Sequence, residues 1–124
     1  MFKKLIAATL FVMCLFAPLT AQAQTIARGS FKGVSIKWSA GSVSIVKTAK
    51  GNEIRLGSNF KTKKGPALYV YLGNGKPEKR VAKLKAVEGA QSYIVPSRVD
   101  VGDYSKVFIY CVPFNAVFAA ARVR

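Results

Sequence analysis

"SKVFIYCVPFNAVF", Ser105 to Phe118, is the stretch on which the reading of this chain turns. Within it Val107, Ile109 and Cys111 alternate with Phe108 and Tyr110. Side chains along a strand point alternately to opposite faces, so both faces of this run are largely apolar. Such a strand belongs in the middle of a sheet, covered on both sides. Pro113 cannot donate a ladder hydrogen bond and is expected to end or bulge the strand just past the cysteine. That places Cys111 on the face of Val107 and Ile109, at the mouth of the core. "ALYVYL", Ala67 to Leu72, has the same character: Leu68, Val70 and Leu72 oppose Tyr69 and Tyr71.

Working outward, two further runs carry the period-2 signature of half-buried outer strands. "VSIKW" alternates Val34, Ile36 and Trp38 with Ser35 and Lys37, and "EIRL" alternates Ile54 and Leu56 with Glu53 and Arg55. Turn signals separate the runs at Gly41, Lys50 to Asn52, Lys63 to Pro66 and Gly73 to Pro77, the last holding the tight-turn pair Asn74-Gly75. No amphipathic helix is expected, and "FAAAR" (Phe118 to Arg122) reads as the end of a strand. Turns about ten residues apart predict a single all-β domain, an antiparallel β-sandwich or barrel-like fold.

The first residues tell of export. Lys3 and Lys4 precede an apolar run and then Ala21-Gln22-Ala23, the layout of a secretory signal peptide over residues 1–23 cleaved after Ala23. The run is short for a membrane span, so no transmembrane anchor is expected. The expected location is periplasmic or extracellular. Cleavage would remove Cys14, Met1 and Met13, leaving a chain from Gln24 with Cys111 as its only cysteine and with no histidine or methionine. A disulfide inside the domain is then impossible, and the cysteine is a buried filler, a link to another chain or a functional thiol.

Charge is the second global signal. Of 20 Lys and Arg only Lys3 and Lys4 lie in the leader, so 18 face 5 acids in the remainder. The excess favours anionic partners, with Lys61, Lys63 and Lys64 the candidate contacts for an anionic envelope surface or polymer, although a solvated face explains the same lysines. No helix-turn-helix and no aromatic-basic RNA-binding motif is present, so no specific nucleic-acid partner is expected. Without histidine, a G-x-S-x-G elbow or paired carboxylates, no stand-alone hydrolase is expected. Nor is there a cluster of metal-ligating residues, so no metal site is expected.

The order and spacing of several segments resemble the DM-thirteen domain, an electron-transfer-type domain also found in Skeletor-like proteins. The resemblance runs from about Gly29 to Ala120. It is carried by Asn59-Phe60-Lys61-Thr62, Gly65-Pro66 with Leu68 to Leu72, Leu84-Lys85, Gly89, Gln91, Tyr93, Pro96, Asp100, Tyr104, and Tyr110-Cys111 before Pro113-Phe114. It implies a strand-rich domain over residues 24–124 in which Cys111 acts as a redox thiol or as ligand to a prosthetic group such as haem, served by an unknown redox partner. With histidine and methionine absent, Cys111 is the ordinary axial ligand available, and a bare thiol is the preferred form. Tyr110, Tyr69 and Tyr71 are the candidates beside Cys111 to line a cofactor pocket or relay an electron; Tyr93 and Tyr104 are further relay candidates, and all five also suit the rim of a sandwich. Three departures stand out: Ala67 replaces the family's usual acid, Tyr110 its usual tryptophan, and Ala82-Lys83-Leu84-Lys85-Ala86 its Gly-Lys-Leu-Lys-Gly. The implied function is a redox or electron-transfer accessory centred on Cys111. The alternative is a non-catalytic basic binding or adhesion module in which Cys111 only packs.

Overall fold

A computed structural model describes residues 23–124. The leader reading covers residues 1–23, of which 1–22 lie outside the described residues. The strands are β1 (Gln24–Ser30), β2 (Lys32–Gly33), β3 (Ser39–Ala40), β4 (Ser42–Thr48), β5 (Gly51–Leu56), β6 (Lys61–Thr62), β7 (Leu68–Gly73), β8 (Pro77–Lys83), β9 (Gln91–Ile94), β10 (Lys106–Cys111) and β11 (Ala116–Arg122), with one 3₁₀ turn over Val101–Asp103. They form a four-stranded sheet in the order β1-β4-β5-β9, a five-stranded sheet β2-β11-β10-β7-β8, and a ribbon of β3 and β6. Every pairing is antiparallel. The result is an open sandwich rather than a closed barrel, as expected for an all-β chain with regular turns.

The two sheets bury one shared core. The first contributes Val43 and Ile45 from β4, Ile54 and Leu56 from β5, and Tyr93 from β9; the second contributes Leu68, Val70 and Leu72 from β7 and Val107, Ile109 and Cys111 from β10. These are the alternate residues that the two apolar runs aim one way. The strands β7 and β10 lie side by side inside the larger sheet, where sequence puts them. Their other face carries Tyr69, Tyr71 and Tyr110 half-buried beside a buried Phe108, so it is only partly covered where the apolar pattern predicts a full second layer. Aromatic rings tolerate this because the ring body packs while the hydroxyl stays wet.

The β7–β8 hairpin turns where Asn74-Gly75 predicts, but through the three-residue loop Asn74 to Lys76 and without the positive φ of a two-residue Asn-Gly turn. At its base Gly73 admits no side chain, since a Cβ would stand 1.9 Å from the Lys76 carbonyl oxygen. "EIRL" forms β5 with Ile54 and Leu56 inward, and "FAAAR" ends β11. "VSIKW" is a correction. Only Lys32–Gly33 pair with β11; Ser35 takes φ 62 and the Lys37 N–H bonds the Val34 carbonyl, turning the chain back on itself. Val34, Ile36 and Trp38 are exposed instead of half-buried. The alternation was present, but a left-handed residue in its middle cannot continue a strand.

Candidate functional site

Cys111 is the last residue of β10, and the chain turns over Val112 to Asn115 before β11, with Asn115 at φ 48 and its N–H bonded to the Val112 carbonyl. The strand therefore ends where Pro113 predicts. The end is not open, however: Cys111 has 0% exposure. It pairs across the sheet with Leu68 on one side and Ala116 on the other. A bulge in β11 next to it leaves Phe118 without a partner, since Ile109 faces Ala119 while Tyr110 faces Val117. A bulge re-aims the extra side chain, and Phe118 is buried in the core beside Ala119. Its ring and the Leu68 side chain close over Gly65, where a Cβ would lie 3.0 Å from the ring and 3.1 Å from Leu68. The glycine of Gly65-Pro66 is thus what lets the end of the core shut.

The same strands turn a different chemistry outward. Tyr110 sits opposite Tyr69, and Tyr71 opposite Phe108. The Tyr71 and Tyr110 rings meet edge to face, 5.2 Å between centroids. Arg80, paired with Tyr71 across the β7–β8 hairpin, lies 4.3 Å over the Tyr69 ring and donates from Nε to the Tyr71 hydroxyl at 3.0 Å. This bond holds the guanidinium above its already high ordinary pKa, so it is a fixed cation. The Tyr110 hydroxyl bonds Asn115 Oδ1, tying the aromatic face to the turn after the cysteine.

Of the residues singled out in the sequence, the fold brings Tyr69, Tyr71 and Tyr110 together and sets Cys111 on the opposite face of β10. Tyr93 is buried in the core and Tyr104 partly buried beside it, apart from the three. Arg80 carries no mark in the sequence that sets it apart from the other surface cations. Counting register outward from the three-residue loop Asn74 to Lys76 brings Arg80 opposite Tyr71 once the bulge between Leu72 and Gly73 is allowed. Lys61, Lys63 and Lys64 are exposed, Lys61 and Lys64 lining a cleft of about 260 Å³ with Trp38 and Glu88.

The residues do not fit haem ligation. An axial thiolate needs open space in front of its sulfur for the ring, whereas Cys111 faces a packed core. Five surface clefts, one of about 490 Å³ between Arg28 and Leu56, are lined by other residues.

A family model described as Electron transfer DM13 matches residues 30–123, which takes in both sheets' principal strands, the buried cysteine and the aromatic face. The chain belongs to this family. No curated protein and no solved structure gives a match. Much of what this DM13 domain has in its motifs serves to fasten loops. Asn59 Oδ1 accepts from the Ser42 N–H at 2.9 Å, and the buried Thr62 hydroxyl meets Ser39 Oγ at 2.6 Å. Gln91 and Tyr93 together hold the chain from Lys85 to Gly89: the Tyr93 hydroxyl accepts the Lys85 N–H at 2.8 Å, and Gln91 Nε2 donates to the Ala86 and Gly89 carbonyls. Asp100 caps the 3₁₀ turn by accepting the Gly102 N–H. Ala67, at the place of the usual DM13 acid, adjoins the cysteine: its carbonyl accepts the Val112 N–H, one register step beyond the Leu68–Cys111 pair.

Proposed function

We propose that the protein is an exported electron-transfer accessory, carried to the periplasm or the exterior by its leader, in which Cys111 is the redox group and the tyrosine–arginine face is its port. The observation that carries this reading is the two-sided build of β10. Tyr110 belongs to a packed aromatic cluster open to a docking partner, and the next residue is the only cysteine of residues 24–124. Oxidation removes one electron and the S–H proton from the thiol. The electron passes through the aromatic face to a one-electron acceptor protein, and the proton leaves to water as the end of the core under the Val112 to Asn115 turn opens.

A second reading is favoured by the complete burial of Cys111 and by Ala67 standing where a proton-accepting acid is usual. In it the domain is a basic binding or adhesion module for anionic envelope or extracellular material, held through Lys61, Lys63 and Lys64, and Cys111 only packs. One experiment separates the two. The segment from Gln24 to Arg124 is treated with a limiting inorganic one-electron oxidant, and the oxidised residue is identified by radical spectroscopy and peptide mass. The electron-transfer reading expects oxidation to end on Cys111, to vanish in Cys111→Ala and to slow in the Tyr71→Phe, Tyr110→Phe double variant. Oxidation that stays on the tyrosines and is unaltered by Cys111→Ala leaves the binding module as the account of this chain.

A further inference from the structure

Large apolar side chains are unevenly placed on the surface. The exposed ones are Ile26, Val34, Ile36, Trp38, Ile94 and Phe114, and the most exposed are Ile36 at 81%, Phe114 at 63% and Trp38 at 58%. Strand direction puts these three at one end of the sandwich. There β10 ends, β7 and β11 begin, and three connections are laced together by the backbone. The Val34 N–H bonds the Phe118 carbonyl, the Lys63 N–H bonds the Trp38 carbonyl, and the Val112 N–H bonds the Ala67 carbonyl. The connections over residues 34–38, 63–67 and 112–115 therefore share one end, with Val34, Ile36, Trp38 and Phe114 on it. Ile26 and Ile94 lie instead on the two edge strands of the smaller sheet.

The charge at that end is almost all of one sign. Lys37, Lys61, Lys63 and Lys64 stand among the exposed apolar residues, with Glu88 the one acid beside them. Among the described residues the one ion pair joins Arg55 to Glu53, so these lysines have no carboxylate partner. The other acids lie toward the opposite end: Glu78 on the β7–β8 hairpin, Asp100 and Asp103 around the 3₁₀ turn, and Glu53 in the half of β5 nearest the β4–β5 turn.

We propose that this end of the domain docks on an anionic lipid bilayer, with Ile36, Trp38 and Phe114 entering the headgroup region and Lys61, Lys63 and Lys64 pairing with lipid phosphates. Three features choose a bilayer over another protein. The apolar side chains come singly from separate connections with lysines between them, whereas a protein interface is built round an apolar centre depleted of charge. Tryptophan with an amphipathic ring flanked by lysines, as Trp38 is by Lys61 and Lys64, is the composition found at membrane–water interfaces. An apolar insertion joined to a basic cluster gives the two signals that stable surface attachment needs. The proposal deepens the anionic-surface reading by naming lipid as the partner, and it holds whether Cys111 is a redox group or a filler.

Trp38 is the chain's only tryptophan, so intrinsic fluorescence reports on the proposed anchor itself. The segment from Gln24 to Arg124 contains every strand and the whole core of the described residues, and it avoids the apolar leader, which would bind vesicles unaided. It is mixed with phosphatidylglycerol–phosphatidylcholine vesicles and with phosphatidylcholine vesicles alone, and sedimentation and Trp38 emission are followed together. The expected result is binding to the anionic vesicles with a blue shift and with quenching by lipids brominated near the headgroup. The Ile36→Ser, Phe114→Ser double variant should bind at least about tenfold more weakly, since it withdraws two inserted side chains. Each of Lys63→Gln and Lys64→Gln should cost about fivefold. The serine variants are at exposed positions, and unchanged circular dichroism verifies their fold. Salt-sensitive binding with unaltered Trp38 emission, equal retention of the serine variant, or a blue shift that tracks protein concentration without vesicles would each overturn the proposal. The first of these would leave a purely electrostatic polymer module standing, which heparin-resin retention of the same variants measures separately.

Discussion

The two faces of β7 and β10 are furnished with side chains of similar bulk, yet one is dry throughout and the other, Phe108 apart, is half wet. Inward, Val70, Leu72, Val107, Ile109 and Cys111 all have 0% exposure. Outward, Phe108 is buried but Tyr69, Tyr71 and Tyr110 remain half-buried, with Arg80 over the Tyr69 ring. What separates them is what lies opposite. The inner face meets the apolar residues of a second sheet, while the outer face meets only its own neighbours along and across the strands. The lesson is that alternation identifies a strand, but the second layer decides what a residue on it can do: the inner face supplies stability and the outer face supplies reach to a partner.

The sharpest way to break this division is at Ile109. It sits in the centre of β10 with its side chain wholly inside the core. Ile109→Ala removes buried methyl groups and leaves a cavity, a loss of about 2–5 kcal/mol. Urea unfolding followed by circular dichroism measures it. A loss under about 1 kcal/mol would mean that the inner face collapses freely and is not the close-packed layer described.

Next in size is Cys111→Ser. The sulfur is buried among apolar side chains, so a hydroxyl in its place is desolvated without a ready partner and costs about 1–3 kcal/mol. Cys111→Ala should cost less than the serine. Native protein should react with a thiol reagent only as fast as its core opens, and the rate should climb through the unfolding transition. Rapid labelling of the native state would show that the turn over Val112 to Asn115 opens on its own.

Tyr93 sharpens the comparison because it is a tyrosine on the inside. Burial raises its phenol pKa above the ordinary value, with the Lys85 backbone N–H opposing. The fold thus favours the neutral phenol. Its contribution is complete below the unfolded value of about 10 and is lost as pH rises through the higher folded value. Stability should therefore fall in alkali, and Tyr93→Phe should remove that slope. The same change deprives the Lys85 N–H and Gln91 of a partner, at a cost of about 1 kcal/mol at neutral pH. An alkaline slope identical in the two proteins would assign it to other groups.

The central strands were legible in the sequence because both of their faces are apolar, and the place of the β7–β8 connection because Asn74-Gly75 interrupts two strand runs, although the loop formed is one residue longer than the Asn-Gly turn. The failure at Val34 to Trp38 has the opposite origin. Its alternation is that of the strand signal, but a single residue at positive φ reverses the chain, and nothing in the identity of Ser35 announces it. For Cys111, position is legible in the sequence and access is not. Pro113 marks the end of the strand, whereas the seal comes from Leu68 and Phe118, brought there by two pairings and a bulge that lie far apart in the chain. Arg80 was hidden for a related reason, since its role depends on a strand-to-strand register that a charge run does not reveal.

The smallest effect on stability belongs to Tyr71→Phe. The lost hydroxyl accepts a hydrogen bond from an exposed Arg80 side chain, and water replaces such a bond readily. Arg80 keeps its stack over Tyr69, and the Tyr71 ring keeps its edge contact with Tyr110. The urea midpoint should stay where it is. Redox behaviour should part company with stability here: if the outer face is the port to Cys111, loss of the phenol slows oxidation of the thiol by an external one-electron acceptor in a protein as stable as the parent. Ile109→Ala should do the reverse at low denaturant, lowering the midpoint while leaving the aromatic face in place. A Tyr71→Phe protein whose thiol is oxidised at the parent's rate would reduce the outer face to packing and return the burial of Cys111 to a matter of stability alone.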